Sequence, residues 1–374
     1  MYTLRLPAAP VLAGLLSAGG VATAGADELR DIELQGDFRY RNETIDQQLL
    51  DRRNRDRLRV RASLTARVND TVRAQVGLAT SEGGDPRSSN VTLGRSSSRK
   101  DLYLDLAYVQ WQALPSLALL GGKMKYPWQR ASGSPLFDGD VNPEGLAATW
   151  QGGEFFASAF HHFIDERADA SESTLQGAQA GWKPAVGEGQ LVIAASYFDF
   201  RRVQGRDPFH GGNAFGNTAT TTGCQGGASS CLAHDFNLAG MLAEYTHPVA
   251  GRPLAVFADV VHNTAADHDE DLALAAGITY GRASEPRTWE VGYSFQRMQK
   301  DAMFGQFIDS DLGGGNTDHR AHLLRAGYAV ASNWVINATW QIGETDLAVP
   351  AMVDGVPVRG RRYERLQLDL DFRF

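Results

Sequence analysis

The stretch RLQLDLDFRF, residues 365–374, closes the chain and alternates polar and apolar residues without a break. The apolar positions are Leu366, Leu368, Leu370, Phe372 and Phe374. Successive side chains of a β-strand point to opposite faces, so this period of two predicts a strand with one apolar and one wet face. The apolar parity continues to the aromatic final residue.

The same alternation recurs along most of the chain, for example in residues 32–41, 57–68 and 289–296. Each run covers about ten residues, which is the length of a membrane-spanning strand. We predict about 16 strands; an 18-stranded barrel is the other count that the pattern allows. The predicted strands are residues 31–44, 56–68, 71–81, 101–113, 116–124, 144–151, 154–164, 173–183, 189–201, 235–247, 252–264, 270–282, 286–299, 319–331, 333–344 and 362–374.

The connections between these strands alternate between short and long. Because the predicted number of strands is even, both termini lie on the side of the short turns. This is the arrangement of an up-and-down transmembrane β-barrel with short periplasmic turns and long extracellular loops. A soluble β-sandwich would also alternate, but its strands are usually shorter. A β-propeller would show a repeat of about 40 residues with a recognisable signature, and we find none. The sequence therefore predicts an all-β, antiparallel transmembrane barrel.

The N-terminus predicts export. Residues 1–26 contain one basic residue near the start, then a run rich in Leu and small residues, and end in small-x-small cleavage patterns. We interpret them as a cleaved signal peptide that leaves residues 27–374 as one barrel domain in contact with outer-membrane lipids. The net charge of −8 argues against a nucleic-acid partner. No residue pattern calls for a cofactor.

A barrel of 16 strands is too wide to be filled by wall side chains and leaves an aqueous channel. Its inward parity carries a basic ladder at the loop-side ends of the first two strands, and closure brings Arg365 close to it. The ladder comprises Arg39, Arg41, Arg57, Arg59 and Arg61. We expect the acids Glu33, Asp37, Asp369 and Asp371 nearer the turn side. The ladder either sets ion selectivity or forms a solvated wall paired with loop acids.

Residues 121–150, GGKMKYPWQRASGSPLFDGDVNPEGLAATW, resemble the signature region of the "putative porin" family of Gram-negative outer-membrane proteins. In that family a strand ending in Gly-Lys leads through a Pro-aromatic segment to a D-x-D-x-N-P-E-G stretch, found here at residues 138–145. Phe374 is similar to the aromatic C-terminus that the barrel-assembly machinery reads in such proteins.

The resemblance implies an outer-membrane porin for passive diffusion of small hydrophilic solutes, with a homotrimer as a candidate assembly. A substrate-specific channel for sugars or organic anions is the alternative, in which some of the Tyr and Trp residues at strand ends, such as Tyr126 and Trp128, bind solute rather than form interfacial girdles.

The third long loop of a porin commonly narrows the barrel, and segment 125–143 occupies that place. We expect a constriction in which Asp138, Asp140 and Glu144 face the arginines; alternatively, these acids pair with Lys123 or Lys125 on the wall. All five side chains are therefore candidate pore-lining residues. The D-x-D-x-N stretch also begins like a calcium loop, but Pro143 and Thr149 break the pattern, so we predict no metal site.

The remaining candidates are weaker. Cys224 and Cys231 enclose a short Gly-rich segment and predict a local disulfide in an exported protein; a metal site with His210 or His234 is the alternative. His161 and His162 point to opposite faces of one strand and cannot jointly chelate an ion from the same face.

A barrel enzyme that hydrolyses lipid is the less favoured class of function. Ser158 and His162 share a strand face but lie too far apart along it for direct contact, and no G-x-S-x-G motif is present.

Overall fold

The computed structural model describes residues 30–168 and 171–374, so the predicted signal peptide at residues 1–26 lies outside the described part. Sixteen antiparallel strands form one closed barrel, because β16 pairs with both β15 and β1. The strands are β1 Arg30–Gln47, β2 Arg53–Arg67, β3 Val72–Thr80, β4 Leu102–Leu114, β5 Leu117–Lys123, β6 Glu144–Gly152, β7 Phe155–Asp165, β8 Ser173–Trp182, β9 Gly189–Arg201, β10 Phe236–Val249, β11 Arg252–Asn263, β12 Leu272–Gly281, β13 Trp289–Met298, β14 His319–Ala331, β15 Trp334–Thr345 and β16 Arg361–Arg373.

Every predicted strand is confirmed, and no boundary deviates by more than about three residues. The connections between barrel strands contain short additional strands and two 3₁₀ turns. These are Val91–Thr92, Ala185–Val186, Ala219–Thr220 paired with Cys231–Leu232, Ala351–Val353 paired with Val356–Val358, Gly305–Phe307 and Leu312–Gly315. Within the described ranges, no helix has the length and apolar character needed to span a membrane.

The two faces of the wall follow the alternation from which the fold was predicted. On β16, Leu368 is 47% exposed on the outer face, whereas its neighbour Asp369 is 5% exposed and points inward. Aromatic side chains collect near the short turns of the outer face, where Phe155 stacks on Trp182 at 6.4 Å between ring centroids. An apolar outer belt with aromatic residues at its edge is what acyl chains and headgroups require.

The barrel closes at Phe374. Its backbone N–H donates to Gly36 O at 3.0 Å, and Gly36 N–H donates to Phe374 O at 2.9 Å. A Cβ atom on Gly36 would lie 2.5 Å from the Phe374 ring and 2.6 Å from Arg61 O, so only glycine allows the ring to lie there. Beside it, Phe372 stacks on Trp334 at 5.2 Å. The final residue is therefore part of the seam between β1 and β16.

The long connections emerge at the end of the barrel opposite the termini, which is the extracellular end by the usual asymmetry of such barrels. Two of them, the 124–143 loop and the 299–318 loop, fold into the lumen and pack on its inner wall. The lumen is consequently much narrower than an open, water-filled barrel of 16 strands. The physical reason is that the inner faces of β7, β9 and β10 carry large apolar side chains, such as Phe160, Phe198 and Phe236, that need cover.

Candidate pore constriction

Six arginines form what we call the arginine wall: Arg39 and Arg41 on β1, Arg57, Arg59 and Arg61 on β2, and Arg365 on β16. The register places them side by side, with Arg39 opposite Arg59 and Arg41 opposite Arg57. Like charges directly opposite one another in a sheet repel. The wall therefore requires neutralising groups at the same height in the barrel.

Carboxylates of β1 and β16 supply the first of these groups. Arg39 Nε donates to Asp371 at 2.8 Å, and Arg41 Nε donates to Asp369 at 2.7 Å. Asp37 accepts from Arg59 and Arg61, with oxygen–nitrogen distances of 2.7 and 2.8 Å.

These acids do not lie below the arginines as we predicted from the sequence. The register sets Asp371 directly opposite Arg39 and Asp369 opposite Arg41. The predicted separation of charges along the pore is therefore wrong, because adjacent antiparallel strands interleave them.

Glu43 is the fully buried centre of the extracellular end of the wall. Its carboxylate accepts hydrogen bonds from Arg55 and Arg365, and Arg57 Nη1 lies 3.8 Å away. One carboxylate thus faces three guanidinium groups. Such an arrangement is stable only while every charge keeps its partners.

Asp311, in the 299–318 loop, reaches across the lumen to the wall. It accepts from Arg41 Nη1 at 2.6 Å, from Arg365 Nη2 at 2.8 Å and from Gln367 Nε2 at 2.9 Å. Burial by itself would raise the pKa of the Asp311 carboxyl, but Arg365 and Arg41 outweigh this and hold that pKa well below its usual range. Asp311 is therefore an ionised plug on the arginine wall.

Asp140 makes the corresponding contact from the 124–143 loop. Arg61 Nη1 donates to its Oδ1 at 3.0 Å, while the Ser89 backbone N–H and hydroxyl donate to its Oδ2 at 3.0 and 2.8 Å. Burial opposes ionisation of Asp140, but Arg61 and Arg59 lower the pKa of this carboxyl. Of the three predicted constriction acids, Asp140 is the one that faces the wall.

Asp138 holds the two inward loops together instead of binding an arginine. Its Oδ2 accepts from Ser310 N–H at 2.8 Å, and its own N–H donates to Phe307 O at 2.8 Å. Burial, together with the Asp309 carboxylate, raises the pKa of Asp138 well above its usual range.

The D-x-D-x-N stretch at residues 138–142, which begins like a calcium loop, does not direct its side chains toward one point. Asp138 contacts Ser310, Asp140 contacts Arg61, and Asn142 Nδ2 donates to Asp105 at 2.7 Å. The three side chains are directed to different partners, so the structure offers no support for a calcium loop there.

Glu144 and Lys123 lie on the outside of the barrel. Their side chains pair at 2.9 Å, and Glu144 shares its parity with the outward-facing Leu146 and lies opposite the outward-facing Phe163. Our expectation that they line the constriction is therefore wrong, since strand parity directs them away from the lumen. Lys125 has Asp105, Asp140 and Arg61 among its charged neighbours and therefore remains a candidate residue of the constriction.

The 124–143 loop crosses the barrel. At its tip, Ser132 Oγ donates to Glu244 on β10 at 3.0 Å, and Ser134 Oγ donates to Asp259 on β11 at 2.7 Å. Because its ends join β5 and β6, the loop spans the lumen like a strap, and its inward fold was correctly predicted from its position.

Apolar contacts fix the same strap. Trp128 is buried against Phe160 and Phe198, with ring centroids 4.7 and 5.1 Å apart, and Tyr126 lies 4.3 Å from Trp128. These two aromatic residues therefore belong to the lumenal core and not to the interfacial girdle. In the 299–318 loop, Phe304 packs on Phe200 in the same way, at 4.8 Å.

The comparisons with known proteins agree with this geometry. Residues 40–225 and 232–374 match a family model described as "putative porin". This chain belongs to the putative porin family. It is accordingly a channel protein of the Gram-negative outer membrane. A comparison with curated proteins found no match.

Several solved barrels share the fold of this porin at low sequence identity. OprB of Pseudomonas putida is 12% identical with a TM-score of 0.57, and the match covers 92% of this chain and 94% of that one. A trimer form of OmpT from Vibrio cholerae is 12% identical with a TM-score of 0.54, covering 92% and 99%. OmpF of Salmonella typhi, in complex with daunomycin, is 9% identical with a TM-score of 0.52, covering 92% and 97%.

The inward position of the second loop, residues 299–318, was not predicted from the sequence of this porin. Asp309, Ser310 and Asp311 form an Asp-x-Asp pattern like that of Asp138 and Asp140, and both patterns occur in long loops. In each pair the second acid binds the arginine wall. The repeated pattern was a usable signal, although nothing local indicated that the two loops meet.

The remaining candidates lie away from the constriction. Cys224 and Cys231 are joined in a disulfide within the 202–235 loop. His161 points outward and His162 inward, so the two side chains lie on opposite faces as predicted. His162 is fully buried and stacks on Phe160 at 5.2 Å, and no hydrogen bond joins it to Ser158 among the described residues.

Proposed function

We propose that this porin passes small hydrophilic solutes passively through the space between the arginine wall and the two inward loops. One observation carries the proposal: Asp140 and Asp311, from two different loops, both bind the wall. In this proposal their contacts with the wall form the constriction of the channel, and a solute passes there only down its own gradient.

Three lumenal cations at this level form no ion pair among the described residues, and we propose that they attract anions. Within residues 30–168 and 171–374, Lys125, Arg130 and Arg325 form no ion pair, whereas the wall arginines are largely neutralised. Arg130 donates to Phe137 O at 2.9 Å and lies 5.1 Å from the centre of the Tyr126 ring, so its described contacts are with neutral groups. Fixed positive charge beside a narrow pore raises the local concentration of anions.

Replacing Lys125 with glutamine is expected to make the channel less anion-selective, because one of the unpaired lumenal charges is lost. The measurement is the reversal potential of single channels in a planar bilayer under a salt gradient. Lys123→Gln is the matched control: two residues away, it removes a charge from the outer face and leaves the reversal potential unchanged. A protein that forms no channels would overturn the proposed function, and equal behaviour of the two variants would remove the role of Lys125.

A substrate-specific channel is the second candidate, because a cavity of about 420 Å³ opens near the short-turn end. Its lining includes Gln110, Gln129, Gln179, Trp128 and Ser158. Amide groups beside an aromatic ring suit neutral polyhydroxylated solutes such as sugars. Liposome swelling separates the candidates: a saturable flux that one sugar competes for indicates specificity, and rates that depend on solute size alone indicate general diffusion.

We further propose that residues 1–26 are removed on export and that the barrel assembles as a homotrimer. The trimer form of the Vibrio cholerae protein supports this assembly by fold likeness. The mass of the protein purified in mild detergent tests it, since three chains per particle are expected and a single chain contradicts it.

Phe374 is our candidate assembly signal, because its ring completes the seam at Gly36 and its position is that of an aromatic C-terminus. Deleting Phe374 is expected to reduce the amount of heat-modifiable barrel in the outer membrane while periplasmic export continues. Phe372→Leu, which preserves the terminal residue, is the control. Normal insertion of the truncated chain would remove the assembly role.

A further inference from the structure

A cluster of ligand-type side chains lies at the extracellular end, away from the constriction. His234 precedes β10, and Asp267 and His268 lie in the 264–271 connection. Each residue offers one ligand atom, and these atoms lie within 4.8 Å of one another. We propose that His234, Asp267 and His268 bind a divalent transition-metal ion, with Zn²⁺ as the ion to test.

The donor set suits this class of ion. Two imidazole nitrogens and one carboxylate oxygen are preferred by Zn²⁺ and its first-row neighbours, and the remaining coordination positions can be filled by water. The two rings are already close, with centroids 4.6 Å apart and nearly perpendicular planes. His234 Nδ1 also lies 3.4 Å from Asp267 Oδ1. All three side chains retain some exposure, so an ion can reach them from the medium.

Asp301 supplies an independent sign of a built site. It is 1% exposed, and its Oδ2 lies 3.3 Å from His268 Nε2. Its carboxylate is held in turn by the backbone N–H of Thr218 at 2.8 Å and by the hydroxyl of Thr218 at 2.5 Å. A histidine that ligates a metal commonly donates its other ring N–H to such a carboxylate, which fixes both tautomer and ring orientation.

Because Nε2 lies beside Asp301, Nδ1 is the atom of His268 that we assign to the ion. Nδ1 accepts from the Glu270 backbone N–H at 3.1 Å. Binding of the ion replaces the hydrogen bond between Glu270 N–H and His268 Nδ1 with a metal–Nδ1 bond, and it leaves Nε2 beside Asp301. Asp301 is then a positioning residue and not a ligand.

The site is joined to the constriction through the same residue. Asp301 lies near the start of the 299–318 loop, where its N–H donates to Glu270 O at 2.8 Å and its carbonyl accepts from Asn263 Nδ2 at 2.9 Å. Residues 301–308 then continue into the lumen as a buried segment leading to Asp311. An ion that fixes His268 therefore stabilises the point at which this inward loop leaves the wall. This consequence for the channel rests on the proposed function, whereas ion binding does not.

The test uses the folded, full-length barrel in detergent and Zn²⁺ in a calorimetric titration. One ion per chain is expected, with binding lost in His234→Ala and His268→Ala and retained in His210→Ala, a histidine of the same 202–235 loop outside the cluster. Asp301→Asn, provided that the barrel keeps its heat-modifiable mobility, is expected to weaken binding by about 10–100-fold. No binding, or binding that the cluster variants leave unchanged, overturns the site.

A second readout separates the site from its link to the loop. Hydrogen exchange of residues 299–308 is expected to slow when Zn²⁺ is added and to be unaffected by Zn²⁺ in His268→Ala. Exchange that does not respond to Zn²⁺ in the native chain overturns the link even when calorimetry confirms the ion, and neither result depends on what the channel transports.

Discussion

Replacing Asp311 with asparagine is expected to raise the single-channel conductance and shift the reversal potential further toward anions. The carboxylate binds Arg41, Arg365 and Gln367, and it is the contact that fastens the tip of the 299–318 loop to the arginine wall. Without its charge, two buried guanidinium groups lose a partner and the loop loses its attachment. The pore then becomes wider and more positive at once.

The size of the effect follows from the burial of the partners. Removing one member of a buried ion pair costs about 3–5 kcal/mol, because the other charge stays behind unpaired. Asp311 retains some exposure, so about 3 kcal/mol is a reasonable value for the lost docking free energy of the loop. That is about a hundredfold change in the ratio of docked to undocked loop, enough to appear as a higher mean conductance and larger current fluctuations.

Asp309→Asn is the matched control, in the same loop and two residues away. Among the described residues, the Asp309 carboxylate accepts from the backbone N–H groups of Asp311 and Leu312 and forms no ion pair with an arginine. Burial and the nearby Asp311 charge raise the pKa of Asp309, so an uncharged amide resembles the form toward which the site already tends. If both variants conduct like the native porin, the 299–318 loop does not form the constriction.

Glu43→Gln is expected to give the largest loss of stability of any single change in the wall. Glu43 is fully buried and faces the guanidinium groups of Arg55, Arg57 and Arg365. A neutral amide leaves three neighbouring positive charges with less compensation where water cannot screen them. We expect the free energy of unfolding to fall by about 3–5 kcal/mol.

Unfolding in denaturant from detergent micelles, followed by the mobility of unheated samples on gels, measures this change. Glu33→Gln is the control, since Glu33 lies on the same strand with the same parity but is exposed, and its side chain accepts a hydrogen bond from Gln35. The control is expected to unfold like the native chain. Equal midpoints for Glu43→Gln and the native barrel would show that the wall does not depend on its buried carboxylate.

The strands could be predicted because their signal is local. Along a strand such as RLQLDLDFRF, successive residues face lipid and water in turn. A shift of one residue would place every Leu in water and every Asp in lipid. Long loops at one end and short turns at the other then determined the topology. The inward position of the 124–143 loop was also within reach, since it follows from the order of the connections.

Neither the height of the wall acids along the barrel axis nor the residues that the inward loops contact could be predicted from the sequence. Arg41 and Asp311 are 270 residues apart in the chain, and nothing near either residue indicates the other. The predicted position of Glu144 in the constriction was wrong because of strand parity. Its contact with Lys123 was among the predicted alternatives, but the parity of β6 puts that pair on the outer face. His234 was considered as a ligand with the cysteines, whereas the fold brings it to Asp267 and His268.

Alternation, loop lengths and the predicted signal peptide were enough to predict a closed outer-membrane barrel with charged residues facing inward, because lipid on one side and backbone pairing on the other constrain every strand separately. How open that barrel is depended on the tertiary structure alone. The apolar inner surface around Phe160, Phe198 and Phe200 and the surplus charge of the arginine wall both require partners. Those partners come from loops whose contacts exist only once the barrel has closed around them.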